Sequence, residues 1–145
     1  MPSRRCLWKL PLLLGSWLAG ACGGPSAKLI TVQSAGSQGE LTLIVRNRTD
    51  VVIDGFYLAE TEKVRTAVGH AELGSVMEAE TWGDDLLRSS LEANEEQSIR
   101  VRTAGSWDAR PVDEEGRFQH IAGLRLQPGG RYILELHDGG WRYFH

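Results

Sequence analysis

At 145 residues, with 19 acidic against 16 basic side chains and a formal net charge of -3, the chain suffices for one small domain with its own apolar core. That balance leaves no electrostatic case for nucleic acid or for an anionic lipid surface as a partner. Its two cysteines, Cys6 and Cys22, both lie near the amino terminus, which excludes a disulfide-stapled scaffold. The first predicted element is a targeting segment. Arg4 and Arg5 give it a positive start, Leu7 to Leu18 is mostly apolar, and Ala19-Gly20-Ala21 closes it with small residues. A spanning helix needs about 20 apolar residues to cross roughly 30 Å of hydrocarbon. The run from Leu10 to Ala21 is shorter, and Lys9 precedes it.

Two cleavage readings follow. Ala19-Gly20-Ala21 suits an ordinary secretory cleavage, which releases a soluble protein with a free thiol at its start. Leu18-Ala19-Gly20-Ala21-Cys22 also resembles the lipobox of bacterial lipoproteins, in which the cysteine is acylated and becomes residue one. Cysteine arithmetic favours the second, because Cys6 leaves with the signal and Cys22 is then the only thiol, with no internal partner. The resemblance implies a signal peptide over 1–21, a lipidated tether over 22–27 and a β-rich domain over 28–145. It also implies export to the cell envelope and attachment to the membrane through Cys22. Gly23 stands where an Asp would retain such a lipoprotein in the inner membrane, so the outer membrane, facing the periplasm, is expected. One acyl chain binds only marginally, at about 0.8 kcal/mol per buried methylene, whereas a diacylglyceryl group plus a further chain holds firmly. Removing 1–21 from the 145 residues leaves 124, and losing Arg4, Arg5 and Lys9 lowers 16 basic residues to 13 against 19 acidic ones. Acyl chains, not surface charge, are therefore the expected means of attachment.

The mature chain alternates short apolar segments with turn residues. Leu41 to Arg46 and Val51 to Leu58 read as strands around the polar break Asn47-Arg48-Thr49-Asp50, and together as a hairpin, with Gly55 a candidate bulge. Glu60 to Glu80 departs from the pattern. Val64, Val68, Val76 and Met77 approximate helical spacing while Gly69 and Gly74 interrupt it, which predicts a partly helical insertion around 60–80. Ser98 to Thr103 alternates, with Ile99 and Val101 on one face and Arg100 and Arg102 on the other. Trp107 to Val112 and Arg117 to Ile121 flank the turn Asp113-Glu114-Glu115-Gly116. Arg131 to Leu136 puts Tyr132, Leu134 and Leu136 on one face, and a glycine turn leads to Trp141-Arg142-Tyr143-Phe144. This spacing predicts an all-β fold, a small antiparallel β-sandwich or barrel of seven to eight strands.

The densest local signal is Thr81-Trp82-Gly83-Asp84-Asp85-Leu86-Leu87. Trp82 offers a large ring to bury, Gly83 permits a tight bend, Asp84 or Asp85 can accept bonds from turn amides, and Leu86 and Leu87 re-enter the core. Gly55 to Leu58, this block, the turn over Ala93 to Gln97, the Ile99 to Arg102 strand, Trp107-Asp108-Ala109-Arg110 and the Asp113 to Gly116 hairpin together resemble small β-rich domains of exported bacterial proteins. The likeness spans roughly Val51 to Leu136 and implies a fold, with no established activity. Such domains often carry a cysteine pair in their later strands, which is lacking here.

Candidate site residues are few. Asp84 and Asp85, with Glu78 or Glu80 nearby, offer hard oxygen ligands for a calcium-stabilised module, yet no Asp-x-Asp-x-Asp-Gly loop is present. His70, His120, His137 and His145 lack zinc-ligand spacing, Ser89-Ser90 has no nucleophile elbow, and no phosphate loop occurs, so an envelope hydrolase has no motif behind it. No enzyme and no cofactor are expected. Trp82, Trp141 and Tyr143 are the candidates for binding a protein or envelope component. The terminal Trp141 to His145 stretch is suited to pairing as an edge strand or to reaching a partner.

Overall fold

The computed structural model describes residues 27–33, 40–68 and 80–144. The signal segment 1–21, Cys22 and the tether to residue 26, the 69–79 part of the insertion with His70, and His145 lie outside the described residues. In chain order the elements are β1 (Ala27–Gln33), β2 (Leu41–Asn47), β3 (Ile53–Glu60), α1 (Thr61–Val68), β4 (Glu96–Val101), β5 (Gly105–Asp113), β6 (Arg117–Phe118), β7 (Ile121–Leu126), β8 (Arg131–Leu136) and β9 (Arg142–Tyr143).

The described strands form two sheets and no closed barrel. One has the order β1-β8-β2-β4 and the other β3-β5-β6-β9, with β7 also pairing with β5. The alternation read from the sequence decides which side chains meet between them. Leu43 and Val45 from β2, Phe56 from β3 and Leu134 and Leu136 from β8 are sealed from solvent. Each such burial stabilises by roughly 1.5–3 kcal/mol. The outward residues of the first sheet lock its register. Lys28, Glu135, Arg46 and Glu96 lie side by side across its four strands, alternating in charge, and Arg46 bonds Glu96 at 2.8 Å and Glu135 at 3.2 Å. The next rung along is Ile30, Ile133 and Ile44. A one-residue slip would drive these charges into the core.

Two differences from the sequence reading concern topology. β2 and β8 pair in parallel, the exception in an otherwise antiparallel arrangement of described strands. The predicted hairpin of Leu41–Arg46 with Val51–Leu58 does not form, because β2 and β3 belong to different sheets. Asn47 explains the crossing. Its Nδ2 donates to the carbonyls of Val51 at 2.8 Å and Leu91 at 2.9 Å, and its Oδ1 accepts from the Thr49 amide at 2.9 Å and hydroxyl at 2.6 Å. The Arg48 amide then donates to the Leu136 carbonyl at 2.8 Å. The chain is thus held across the end of the sandwich instead of folding back on β2. Gly55 marks a bulge against β5, as its place in the strand pattern suggests. Within the insertion α1 covers 61–68, and residues 80–82 are helical.

The two ends of the sandwich are distinct. β1 begins at Ala27 opposite Leu136, beside the 48–52 crossing and the 137–141 loop, which meet where the Asp50 amide donates to Asp138 at 3.0 Å. β3 and β4 finish at the opposite end, where α1 and the start of β5 are also found.

Candidate functional site

Trp82 is the centre of the best-defined constellation. It ends the 80–82 turn, and Gly83, at φ +70°, bends the chain immediately afterwards. The bend brings Asp85 to the outer edge of β3, where its Oδ1 accepts from the amides of Phe56 at 2.9 Å and Leu87 at 3.0 Å. The Leu86 amide donates to the Phe56 carbonyl at 2.9 Å. A Cβ on Gly55 would lie 3.1 Å from the Tyr57 ring and 3.5 Å from Asp85 Oδ2, so a glycine leaves room for this approach. Asp85 is thus a backbone acceptor, while Asp84 is exposed. Among the described residues no group of three or more His, Cys, Asp or Glu side chains is placed to hold a metal ion.

The Trp82 ring is buried, packed with Ala59 and Val64 and flanked by Tyr57. The Arg110 guanidinium stands 4.3 Å above it, 4.7 Å from the Phe118 ring and 5.4 Å from Phe144. Phe118 and Phe144 stack at 4.4 Å. A column of rings and guanidinium therefore runs from the Trp82 block to the chain's last described residue. Trp141 is half-buried, with Nε1 donating to Asp138 at 3.3 Å and Arg117 at 5.6 Å from its ring. Phe144, at the end of this column, and its neighbour Tyr143 are 50% and 60% exposed. β9 does form the terminal strand of its sheet.

His120 meets the Trp82 ring edge-on at 5.7 Å and bonds Asp108 Oδ2 through Nε2 at 2.7 Å. Asp108 Oδ1 accepts from the Thr61 hydroxyl at 2.8 Å and the Gly123 amide at 3.0 Å. Burial pushes the Asp108 carboxyl up, but the bonds from His120, Gly123 and Thr61 outweigh it and hold the group below its ordinary value. A nucleophilic relay needs a hydroxyl bonded to the histidine. Here the Thr61 hydroxyl bonds the carboxylate, so these residues clamp α1 and β7 onto β5. His137 lies 3.5 Å from Glu135.

Beside Trp82, at the end of the sandwich away from Ala27, opens a cleft of about 530 Å³. Leu58, Trp82, Leu86 and Trp107 supply its apolar walls. Arg100 from β4 and Arg102 just after it line one side, and Glu60, Glu80 and Asp84 line it from the β3 side. Leu86 was expected in the core but is partly exposed, because its amide, not its side chain, is what docks onto β3. Leu87 does pack against the core. The sequence had placed Arg100 and Arg102 on the outward face of their strand. It had not shown that the strand is terminal, nor that Arg110 stands over the Trp82 ring, because nothing local marks a residue that meets its partners across distant segments.

No family model matches the chain, and no curated protein matches it. Among solved structures, an NMR structure of a protein from Eubacterium rectale is similar, at 11% identity over 74% of this chain and 87% of that one, with a TM-score of 0.42. A likeness at that level carries no argument about function.

Proposed function

We propose that the chain is a non-catalytic lipoprotein of the bacterial cell envelope, held by acyl chains on Cys22 in the outer membrane and facing the periplasm, whose β-sandwich binds a protein or envelope component. The observation that carries this reading is the polarity of the domain. The chain enters the sandwich at Ala27, and the cleft opens at the opposite end, where β3 and β4 finish. Four residues lie between Cys22 and Ala27, a span of five steps that reaches at most about 18 Å. A lipid on Cys22 would therefore keep the Ala27 end close to the bilayer and turn the cleft away from it. A volume of about 530 Å³ lies within the usual range of ligand sites, roughly 300–1,000 Å³.

Two measurements test the reading. The intact mass of the protein from the membrane fraction should include acyl chains in the wild type, and Cys22→Ala should lose both that mass and membrane attachment. An unlipidated wild type would refute the anchor. A photo-crosslinker at Arg102 should then capture an envelope component in intact cells, and a crosslinker at Lys28, near the Ala27 end, should not. Equal capture at both positions would remove the cleft from the reading.

A further inference from the structure

The cleft runs along two strand edges. Among the described strands β4 is terminal in the first sheet and β3 in the second. Hydrogen-bond parity shows which backbone groups of β4 face outward. The Asn47 amide donates to the Glu95 carbonyl, while the Thr42 amide donates to Gly130 and the Arg48 amide to Leu136. Odd-numbered residues of β2 therefore face β4, and even-numbered ones face β8. With Val45 opposite Gln97 and Leu43 opposite Ile99, the odd-numbered residues of β4 are the ones engaged. Backbone N–H and C=O groups of Ser98 and Arg100 point to the open side.

The first half of this side is covered by the chain itself. Leu91 bridges to Ile53, Leu86 bonds Phe56, and the Arg88 amide donates to Gln97 Oε1 at 2.7 Å. The far half continues past Ser98, and from Arg100 to Thr103 the chain borders the cleft.

We infer that the edge of β4 from Ser98 to Val101, continued by Arg102, is a docking site for an extended strand of a partner protein in which acidic residues alternate with apolar ones. The alternation follows from the geometry. A strand added to β4 continues the first sheet, so every second side chain points inward, toward Leu58, Leu86 and Trp107, and the others lie on the outer face beside Arg100 and Arg102. Arginines on an edge repel basic strands and admit acidic ones. Arg100 is already paired with Glu40 at 3.3 Å, but both side chains are largely exposed, so an incoming carboxylate competes with a contact of little strength. The inference rests on the proposed binding role of the cleft and not on the lipid at Cys22.

The test uses the full chain purified in detergent and short synthetic peptides, followed by calorimetry. A peptide alternating valine and glutamate should bind, and one alternating valine and lysine should bind at least roughly tenfold more weakly, the equivalent of 1.4 kcal/mol. The pair Arg100→Glu and Arg102→Glu, both on exposed positions, should reverse that preference while leaving the melting temperature near that of the wild type. Methylating alternate peptide amides should abolish binding in one phase and leave it in the other, because only one set of amides faces β4. Equal binding of both methylated peptides would overturn strand addition, as would pairing of two copies through β4 without peptide. If no peptide binds but the Arg102 crosslinker still captures an envelope component, this inference falls and the proposed function stands. If the crosslinker also captures nothing, both fall.

Discussion

Asn47→Ala should be among the most damaging single substitutions outside the apolar core. The side chain is fully buried, and its four hydrogen-bonding positions are all filled, by two carbonyls, one amide and one hydroxyl. At about 1 kcal/mol net per bond, and with the Leu91 carbonyl left inside the fold, the expected loss is about 3–5 kcal/mol. A domain of this size is stable by only about 5–15 kcal/mol. Urea unfolding followed by tryptophan fluorescence should show the midpoint falling at unchanged slope. Asn47→Leu fills the space but not the bonds, so it should recover less than half of the loss. Asn47→Asp retains the two accepting positions but turns a carboxylate toward the Val51 and Leu91 carbonyls. Burial and that repulsion raise its folded pKa above the ordinary value of about 3.9. The variant should therefore be most stable below about pH 4 and lose stability as pH rises. A loss under about 1 kcal/mol for Asn47→Ala would refute the view that this side chain holds the crossing between sheets.

Three further outcomes are expected. Asp85→Ala removes the acceptor of the Phe56 and Leu87 amides and should cost about 2 kcal/mol by chemical denaturation, with Asp85→Asn losing less than half as much because an oxygen remains. Asp108 has a lowered pKa in the fold, so the stability it contributes is complete above its unfolded value of about 3.9 and is lost as pH falls through the folded value. Asp108→Asn should accordingly flatten the dependence of unfolding free energy on pH below about 4, and an unchanged slope would show that the His120 contact is not linked to folding. Gly130→Ala places a Cβ 2.6 Å from the Tyr132 ring, whose hydroxyl accepts from the Gln127 amide at 2.9 Å. Calorimetric melting should show a loss of about 1–3 kcal/mol.

Local order was legible in the sequence wherever a residue's role depends on its neighbours. Alternation identified the buried faces of β4 and β8, the bulge at Gly55, and the turn at Gly116, which has φ +82°. The Trp82 block was legible for the same reason: a ring to bury, a glycine to bend and a carboxylate to accept turn amides all act within a few residues. Pairing between distant strands was not. Asn47-Arg48-Thr49 matches a glycosylation acceptor and otherwise reads as a polar break, yet Asn47 and Thr49 are sealed inside. Nothing in that tripeptide reveals that its partners include Leu91, which comes 44 residues later. The hairpin expectation failed at that point, since two alternating segments joined by a short turn suit a hairpin and a crossing equally well.

That crossing also determines where the cleft can be. By passing from one sheet to the other between Asn47 and Ile53, the chain makes β3 a terminal strand beside β4, the terminal strand of the facing sheet. Two open edges on one side of a sandwich leave rows of backbone donors and acceptors to be satisfied. The residues between α1 and β4 satisfy those nearest the crossing. Leu91 and Leu86 bond the outward groups of Ile53 and Phe56, and Asp85 supplies a carboxylate where the chain leaves the edge. Two residues further along β3, Leu58 presents the same outward groups as Phe56, now toward the cleft that Arg100 also lines. Along β3 the domain therefore shows, in its own sequence, the chemistry that the other half of the opening requires: backbone groups that pair with the edge, an apolar side chain, Leu91, turned inward and a carboxylate at the rim.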